Sequence, residues 1–354
     1  MKGRTSRREV VQTSRRKASQ RTAARQQKKA PLNKKERRAR RRTAQAAYRR
    51  FLRTGLFAVY IALREAVRQA DPPFRVKANG TPGRTPADPR DVILFLLLRA
   101  LEGWSFDKTY ATLRALPHLA TILGFSKPAH LPAPSTVQGL VKRIPVSYWE
   151  ELVRRTGLVF SKGHCNTAGD STGLGTQDFA RWMDARCEEG GKKRKFVKLH
   201  VLIATRREWP IFLAAKVTRG NRGDAPEFPE VLDRVSSEIE LGNVALDPAY
   251  LTKRCVQAIV ARGGRPVIEM KENTVLDPNG PPEWKRMIRR QRRHPRGYAN
   301  RLRRRDAVEA TFGSFKRRLG ARIRCHRRHA QRTEVLARVV VWNVLGMVYH
   351  QEFA

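Results

Sequence analysis

Three acidic residues are placed where their side chains could share a metal ion. Asp170 lies in the small, polar stretch AGDSTG, Asp247 in ALDPAY, and Glu309 in RRRDAVEATFGSFKRRLG. Three carboxylates that converge repel one another strongly unless a hard dication such as Mg²⁺ neutralises them. Two such ions about 4 Å apart would hold the attacking and leaving oxygens of a displacement at phosphorus.

Each of these acids also has an ordinary structural interpretation. Asp170 could form a turn with the serine that follows it, and Asp247 could do the same before Pro248. Glu309 could form an ion pair on a basic helix face. The catalytic interpretation depends on where the acids fall. They lie on the two strands and the helix that one particular order of elements would bring together.

The elements that would position the acids begin near residue 160. The stretch with Asp170 predicts a strand that ends in a turn. The alternating runs KFVKLHVLIATRR and PIFLAAKVTRG predict an antiparallel hairpin. The next segments predict a helix over 225–239 and then a strand over 243–250 that carries Asp247. A further helix and a strand over 265–271 follow. A loop-rich basic insertion over 272–297 then leads to two long helices, and the first of these carries Glu309. This order predicts an α/β fold with a ribonuclease H-like mixed sheet and helices on both faces.

With these motifs in place, the chain from about residue 164 to 350 resembles the catalytic domain of the DDE transposases of bacterial and archaeal insertion sequences. GDSTG resembles the strand of the family's first acid, and LDPAY the motif of its second, with Tyr250 three residues after the aspartate. The resemblance implies that Asp170, Asp247 and Glu309 are the catalytic, metal-binding acids.

The most specific match is the stretch around Glu309. The family has an arginine four residues before this glutamate and a basic residue seven after it, and here these are Arg305 and Lys316. The family's tyrosine three residues before that arginine is replaced by Leu302, with Tyr298 nearby. Arg305, Glu309 and Lys316 share one helical face, so the two cations could hold phosphates on either side of a scissile bond or orient the carboxylate. The residues expected to contact DNA are Arg305, Lys316, Arg317, Arg318 and Lys271. Asp306 lies on another face and is expected to be a surface charge.

The charge of the whole chain points to a polyanionic partner. The 354 residues include 74 Lys and Arg against 31 Asp and Glu, which gives a formal net charge of +43. Nucleic acid is the leading candidate, because phosphate contacts release counterions. An anionic membrane surface is a weaker candidate, since no amphipathic basic helix is evident. A content of 40% hydrophobic residues over this length indicates a globular protein rather than a short histone-like one.

The sequence also predicts where the chain resides. The four cysteines, Cys165, Cys187, Cys255 and Cys325, have no paired spacing, which is typical of a reducing compartment. The longest apolar stretches are too short to cross a bilayer, and no signal peptide is evident. We therefore expect a cytoplasmic, nucleoid-associated protein.

Three regions are expected. Residues 1–45 predict a basic disordered arm, because residues 1–50 hold 20 Lys and Arg and two acids. Residues 46–158 predict a helical DNA-binding domain with a Pro/Gly linker at 71–89, and either a helix-turn-helix unit or an ordinary helical bundle fits its short helices. One of these helices is expected to begin at Asp91, and the next is expected to be capped by Ser105. Residues 160–354 predict the catalytic domain.

The functional expectation is a transposase. With Mg²⁺ or Mn²⁺, two ions in all, it would hydrolyse a phosphodiester at the ends of its own element, and the freed 3′-hydroxyl would attack target DNA. Its partners would be double-stranded DNA and further copies of the chain, at least a dimer. A non-catalytic DNA-binding protein derived from such an element and a metal-dependent nuclease are the alternatives. Trp284 in the insertion could stack on a displaced base, although a packing role is the stronger interpretation.

Overall fold

The structure is a computed structural model, described here over residues 33–75, 87–127, 130–159, 161–176, 196–205 and 209–353. Residues 51–354 belong to one compact unit. Cys187 and most of the expected linker at 71–89 lie outside the described residues, as do residues 1–32 of the expected arm. In the described part of the chain, no helix is long and apolar enough to cross a membrane.

The described residues form a five-stranded mixed sheet in the order β3-β2-β1-β4-β5. Its strands are β1 (Gly163–Gly175), β2 (Phe196–Ala204), β3 (Ile211–Arg219), β4 (Ile239–Leu246) and β5 (Arg265–Ile268). The first three strands pair antiparallel, whereas β4 runs parallel to β1 and to β5. The predicted order of strands and the ribonuclease H-like mixed sheet are therefore confirmed.

Helices precede, follow and connect these strands. In chain order they are α1 (Lys34–Thr54), α2 (Leu56–Arg68), α3 (Pro89–Glu102), α4 (Phe106–Ala115), α5 (Pro117–Leu123), α6 (Pro134–Leu140), α7 (Val146–Leu158), α8 (Asp224–Asp233), α9 (Lys253–Ala261), α10 (Pro282–Arg293), α11 (Pro295–Leu302), α12 (Asp306–Leu319) and α13 (Arg328–Glu352). Short 3-10 turns follow β4, at Pro248–Tyr250, and precede α12, at Arg303–Arg305.

Helices cover both faces of the sheet, as the alternation in β3 requires. Successive strand residues point to opposite faces. Phe212 meets Phe315 of α12 edge to face, with ring centroids 5.6 Å apart. The next residue, Leu213, packs in a buried cluster with Phe228 of α8. This arrangement confirms the predicted sandwich of a sheet between helices.

The long helix α13 joins the helical region to the sheet. It packs against α3 and α7 as well as β3, and Asn343 at its centre is fully buried. The Asn343 side chain accepts a hydrogen bond from the Phe212 N–H (2.9 Å) and donates one to the Phe212 carbonyl (2.8 Å). The expected division near residue 159 therefore falls inside one compact unit, because α13 buries apolar surface from both regions.

The helix expected to begin at Asp91 begins earlier. Asp88 is its N-cap, and its carboxylate accepts a hydrogen bond from the Arg90 N–H at 2.7 Å. Asp91 is instead buried within α3, where its carboxylate accepts bonds from the backbone and hydroxyl of Ser126. The prediction for the following helix is confirmed, because Ser105 caps α4 by accepting from the Lys108 N–H.

Two segments expected to lack structure are helical. Residues 34–45 of the expected disordered arm lie in α1, where Asn33 and Glu36 accept each other's backbone N–H at 2.9 and 2.7 Å. This reciprocal capping box, followed by alanine and arginine with high helix propensity, favours a helix despite the charge.

The insertion over 272–297 is not loop-rich, because it contains α10 and the beginning of α11. Trp284, Met287 and Ile288 form a buried stripe along α10. The surrounding arginines obscured this spacing in the sequence. Trp284 packs in the buried cluster of the sheet, which agrees with the packing interpretation rather than with stacking on a base.

Candidate active site

Two of the predicted acids lie on neighbouring parallel strands. Ala168 of β1 pairs with Ala245 of β4, and each aspartate follows two residues later in its own strand direction, so Asp170 and Asp247 lie at the same level of the sheet. Asp170 accepts a hydrogen bond from the Ser171 N–H at 2.7 Å. Asp247 caps the 3-10 turn after β4 by accepting from the Ala249 N–H at 2.9 Å. The parallel pairing of β1 and β4 therefore brings both carboxylates together at the level where β4 ends.

These two carboxylates influence each other. Burial raises the pKa of Asp170 to about 6, and the charges of Asp247 and Asp224 add to the rise, while the Ser171 N–H and Arg305 oppose it. Among the described residues, neither Asp170 nor Asp247 forms an ion pair. Two half-buried carboxylates that repel each other and lack a cationic partner are hard oxygen donors suited to a divalent cation.

The third predicted acid, Glu309, is bound by an arginine whose charge also reaches the two aspartates. Arg305 donates from Nη2 to Glu309 Oε1 at 2.6 Å and from Nη1 to Glu269 Oε2 at 2.8 Å. The positive charge of Arg305 also acts on both Asp170 and Asp247. The Glu309 side chain remains 58% exposed. In the described part of the chain, no three acidic, histidine or cysteine side chains lie close enough together to hold one ion.

Glu269 is a functional candidate that the sequence reasoning missed. It directly follows β5, and its N–H donates to the Leu246 carbonyl at the end of β4. It therefore stands at the same edge as Asp247, which directly follows β4. The signal was present in the sequence, because RPVIEMK places an acid directly after an apolar strand, as NVALDP does.

A second missed group surrounds Asp224, at the first residue of α8. Its carboxylate lies 2.9 Å from Lys198 Nζ and 3.4 Å from His200 Nδ1. Burial opposes ionisation of Asp224, but the interactions with His200, Ser171 and Lys198 outweigh it and hold the pKa of this carboxyl well below its usual range. The i, i+2 spacing of Lys198 and His200 on β2 places both on one face of the sheet and could have indicated this cluster.

Tyr250 connects the two groups of acids. Its ring is buried edge to face against Phe228, with centroids 5.4 Å apart. Burial raises its pKa well above the usual value, and the charges of Asp224, Asp170 and Asp247 raise it further. Tyr250 is therefore a neutral wall of the site at ordinary pH.

The remaining predicted residues follow the helix that carries Glu309. Phe312 and Phe315 are buried and fix α12 against the sheet. Lys316 is half-buried on the same side, and burial lowers its pKa. The predicted DNA contacts Arg317, Arg318 and Lys271 are exposed, as is Asp306.

Tyr298, considered as a replacement for the family's missing tyrosine, is buried. Its hydroxyl donates to the Ile268 carbonyl at 2.7 Å, which ties α11 to the end of β5. Leu302 packs against the same buried cluster. Both residues therefore support the segment that leads into Arg305 and Glu309.

Comparison with known proteins agrees with this architecture. The family model described as "Transposase DDE domain" matches residues 161–344. The chain therefore belongs to the DDE transposase family, which confirms the family expected from the motifs and a transposase function in general. No curated protein matches.

A solved structure is similar in outline. It is the cryo-EM structure of a piggyBac transposase synaptic complex with hairpin DNA, at 10% sequence identity and a TM-score of 0.40, with 87% of this chain and 74% of that chain covered. A likeness of this size carries no information about individual side chains.

Proposed function

We propose that this transposase cuts DNA at the ends of a mobile element and joins the freed 3′-hydroxyl to target DNA. The observation that carries the proposal is the pair formed by Asp170 and Asp247, two like charges brought together where β4 ends, neither of which forms an ion pair within the described residues. A site of this kind is suited to a metal-assisted reaction at a phosphodiester.

Asp170, Asp247 and Glu309 would hold Mg²⁺ or Mn²⁺, two ions in all. Such ions, when bound, polarise the phosphodiester and lower the pKa of the attacking hydroxyl or water. Arg305 positions Glu309 through the 2.6 Å hydrogen bond and balances the charge of the aspartates before substrate binds. Since Glu309 is largely exposed, it can leave Arg305 without breaking buried packing.

The basic residues around the edge would hold the DNA. Arg305 and Lys316 lie on either side of Glu309 along one helix face, and the further phosphate contacts are Arg317, Arg318 and Lys271. A transposase that holds two ends of an element works as at least a dimer on double-stranded DNA, in the cytoplasm with the nucleoid. Hydrolysis without joining would instead indicate a nuclease, and binding without cutting would indicate a non-catalytic DNA-binding protein.

The test is cleavage and joining of labelled duplexes that carry the terminal inverted repeats flanking the gene, with MgCl₂, MnCl₂ or EDTA. We expect cut and joined products with either metal and none with EDTA. Asp170→Asn, Asp247→Asn and Glu309→Gln should each reduce both products to background, whereas the control Asp306→Asn on the same helix should match the parent. Full activity in any of the three variants would remove that residue from the site.

A further inference from the structure

A cavity lined by arginines lies at the far end of β5 from the candidate active site. Its volume is about 640 Å³, and its lining includes Arg265, Arg290, Arg296, Arg301 and His294 but no acidic side chain. Arg265 begins β5, whereas Glu269 follows its end. We call the four arginines the arginine pocket.

The positive charges of the arginine pocket are not compensated within the described part of the chain. None of its four arginines forms an ion pair there, although the neighbouring Arg286 donates to Glu283 at 2.9 Å. Arg290 Nη1 is withdrawn from solvent and donates to no acceptor. Arg290 is half-buried, and a partly desolvated charge without a partner is unfavourable, so this site is suited to an external anion.

The cations of the pocket also repel one another. Burial lowers the pKa of Arg290, and the charges of Arg265 and Arg301 lower it further. Since the chain has 74 basic and only 31 acidic residues, the counter-charge is more readily supplied by another molecule than by this protein.

Packing does not explain the arginine at position 290. The buried stripe of α10 consists of Trp284, Met287 and Ile288. Arg290 stands three residues after Met287, where a longer apolar stripe would continue. An apolar residue would satisfy this position, so the arginine is better explained by a ligand.

We propose that the arginine pocket binds backbone phosphates of a DNA duplex that also reaches the catalytic edge. The inference rests on the proposed DNA substrate. Guanidinium groups match phosphate oxygens in paired hydrogen bonds. Glu269 lies four residues after Arg265, which corresponds to roughly 13 Å along a strand. That span corresponds to about four base pairs at 3.4 Å per phosphate along one strand, so one duplex can contact both places.

The test measures DNA binding by the full chain in EDTA, so that no cleavage is involved. A fluorescent 30-base-pair duplex is titrated at several NaCl concentrations with the parent and with Arg290→Gln/Arg301→Gln. Losing two phosphate contacts should lower the salt slope by about two and weaken binding at least tenfold near physiological salt. The control Arg289→Gln/Arg292→Gln removes equal charge from exposed positions on α10 and should change the slope by less than about one.

The melting temperature provides a second measurement, because a DNA-binding role and a purely structural role of the arginines predict opposite changes in it. Without DNA, the pocket variant should unfold at the same temperature as the parent or higher, since the substitution relieves repulsion. A melting temperature several degrees lower would mean that the arginines serve packing and would overturn the proposal. Should the variant fail to fold, the charge-conserving variant Arg290→Lys/Arg301→Lys replaces it in the binding experiment. We then expect weaker DNA binding with an unchanged salt slope.

Two further outcomes would also overturn the proposal. One is an equal loss of binding in the control, because the pocket would then be part of a general basic surface. The other is a combination of two results: inorganic phosphate stabilises the parent, and the pocket variant binds the duplex as tightly as the parent does. The site would then bind a small phosphate rather than DNA. A parent that binds through the pocket yet never cuts DNA would sink the proposed function alone.

Discussion

Two arginine–glutamate pairs four residues apart, one within α13 and one where a 3-10 turn leads into α12, have almost the same distance between their charged groups. Arg338 and Glu334 of α13 are 2.5 Å apart, and Arg305 and Glu309 at α12 are 2.6 Å apart. Their surroundings differ. The Glu334 side chain is 2% exposed, whereas that of Glu309 is 58% exposed.

In the buried pair, the carboxylate of Glu334 is surrounded by cationic groups and hydrogen-bond donors. Burial opposes ionisation of Glu334, but Arg338 and Arg99 outweigh it and hold the pKa of the carboxyl below its usual range. Glu334 also accepts the N–H groups of Arg324 and Cys325. The charge of Arg305 instead acts on Asp170 and Asp247, which form no ion pair among the described residues. The two ion pairs therefore differ in role. The Glu334 pair is part of the buried core, whereas the exposed Glu309 can exchange Arg305 for another partner.

The largest effect is expected from breaking the buried pair. Glu334→Ala would leave Arg338 and Arg99 buried without a counter-charge, and we expect a loss of about 3–5 kcal/mol in the free energy of unfolding. Urea denaturation measures it. The control is Glu238→Ala, whose exposed pair with Lys162 should contribute under about 1 kcal/mol. Equal losses in the two variants would remove the distinction between buried and exposed pairs.

The next largest effect is the pH dependence of stability that arises from Asp170. The pKa of Asp170 is about 6 in the folded protein against 3.8 as its ordinary value, so the folded state binds more protons between these pH values. The free energy of unfolding should therefore fall by about 2–3 kcal/mol as pH rises through this window. Asp170→Asn should lack this component, and Asp306→Asn should keep it. Parallel pH profiles of Asp170→Asn and the parent would contradict the expectation.

A divalent cation should offset the loss of stability that the ionised aspartates cause. At pH 7, Mn²⁺ at ten times its dissociation constant should stabilise the parent by about 1.4 kcal/mol, which thermal unfolding detects. The shift should vanish in Asp170→Asn and in Asp247→Asn, and should return to zero on adding EDTA. Glu238→Ala should retain it in full. A shift that survives in both aspartate variants would place the ion elsewhere.

The smallest effect on stability is expected at the exposed pair. Glu309→Gln removes the hydrogen bond to Arg305 in a solvated setting, so the free energy of unfolding should change by less than about 1 kcal/mol. Its effect on DNA cleavage should nevertheless be complete. A large loss of stability in this variant would mean that the Arg305 pair is structural, like the pair on α13.

The architecture could be predicted because its signals are local. Alternation in the strand of Phe212 and the apolar run of α13 gave the element order, and that order fixes which strands are neighbours. Asp170 and Asp247 were therefore found together from sequence alone. The prediction of a loop-rich insertion over 272–297 was wrong because its arginines mask a three-residue apolar stripe.

Other features depend on long-range contacts. Glu269 and Asp224 join the site because β5 ends and α8 begins there, and the local sequence signals around them do not show that these two ends meet. The link between Arg305 and Glu309 was foreseen in its spacing, but the additional bond from Arg305 to Glu269 spans 36 residues. Similarly, the unpaired arginines around Arg290 come from three separate elements.

The contact between Asn343 and the backbone of Phe212 has a consequence for assembly. Because β3 lies at the edge of the sheet, it presents backbone groups that a strand from another molecule could pair with. Asn343 occupies both the donor and the acceptor of Phe212, and Trp342 Nε1 donates to the neighbouring Pro210 carbonyl. Two copies of this chain are thus barred from joining their sheets through the backbone of Phe212.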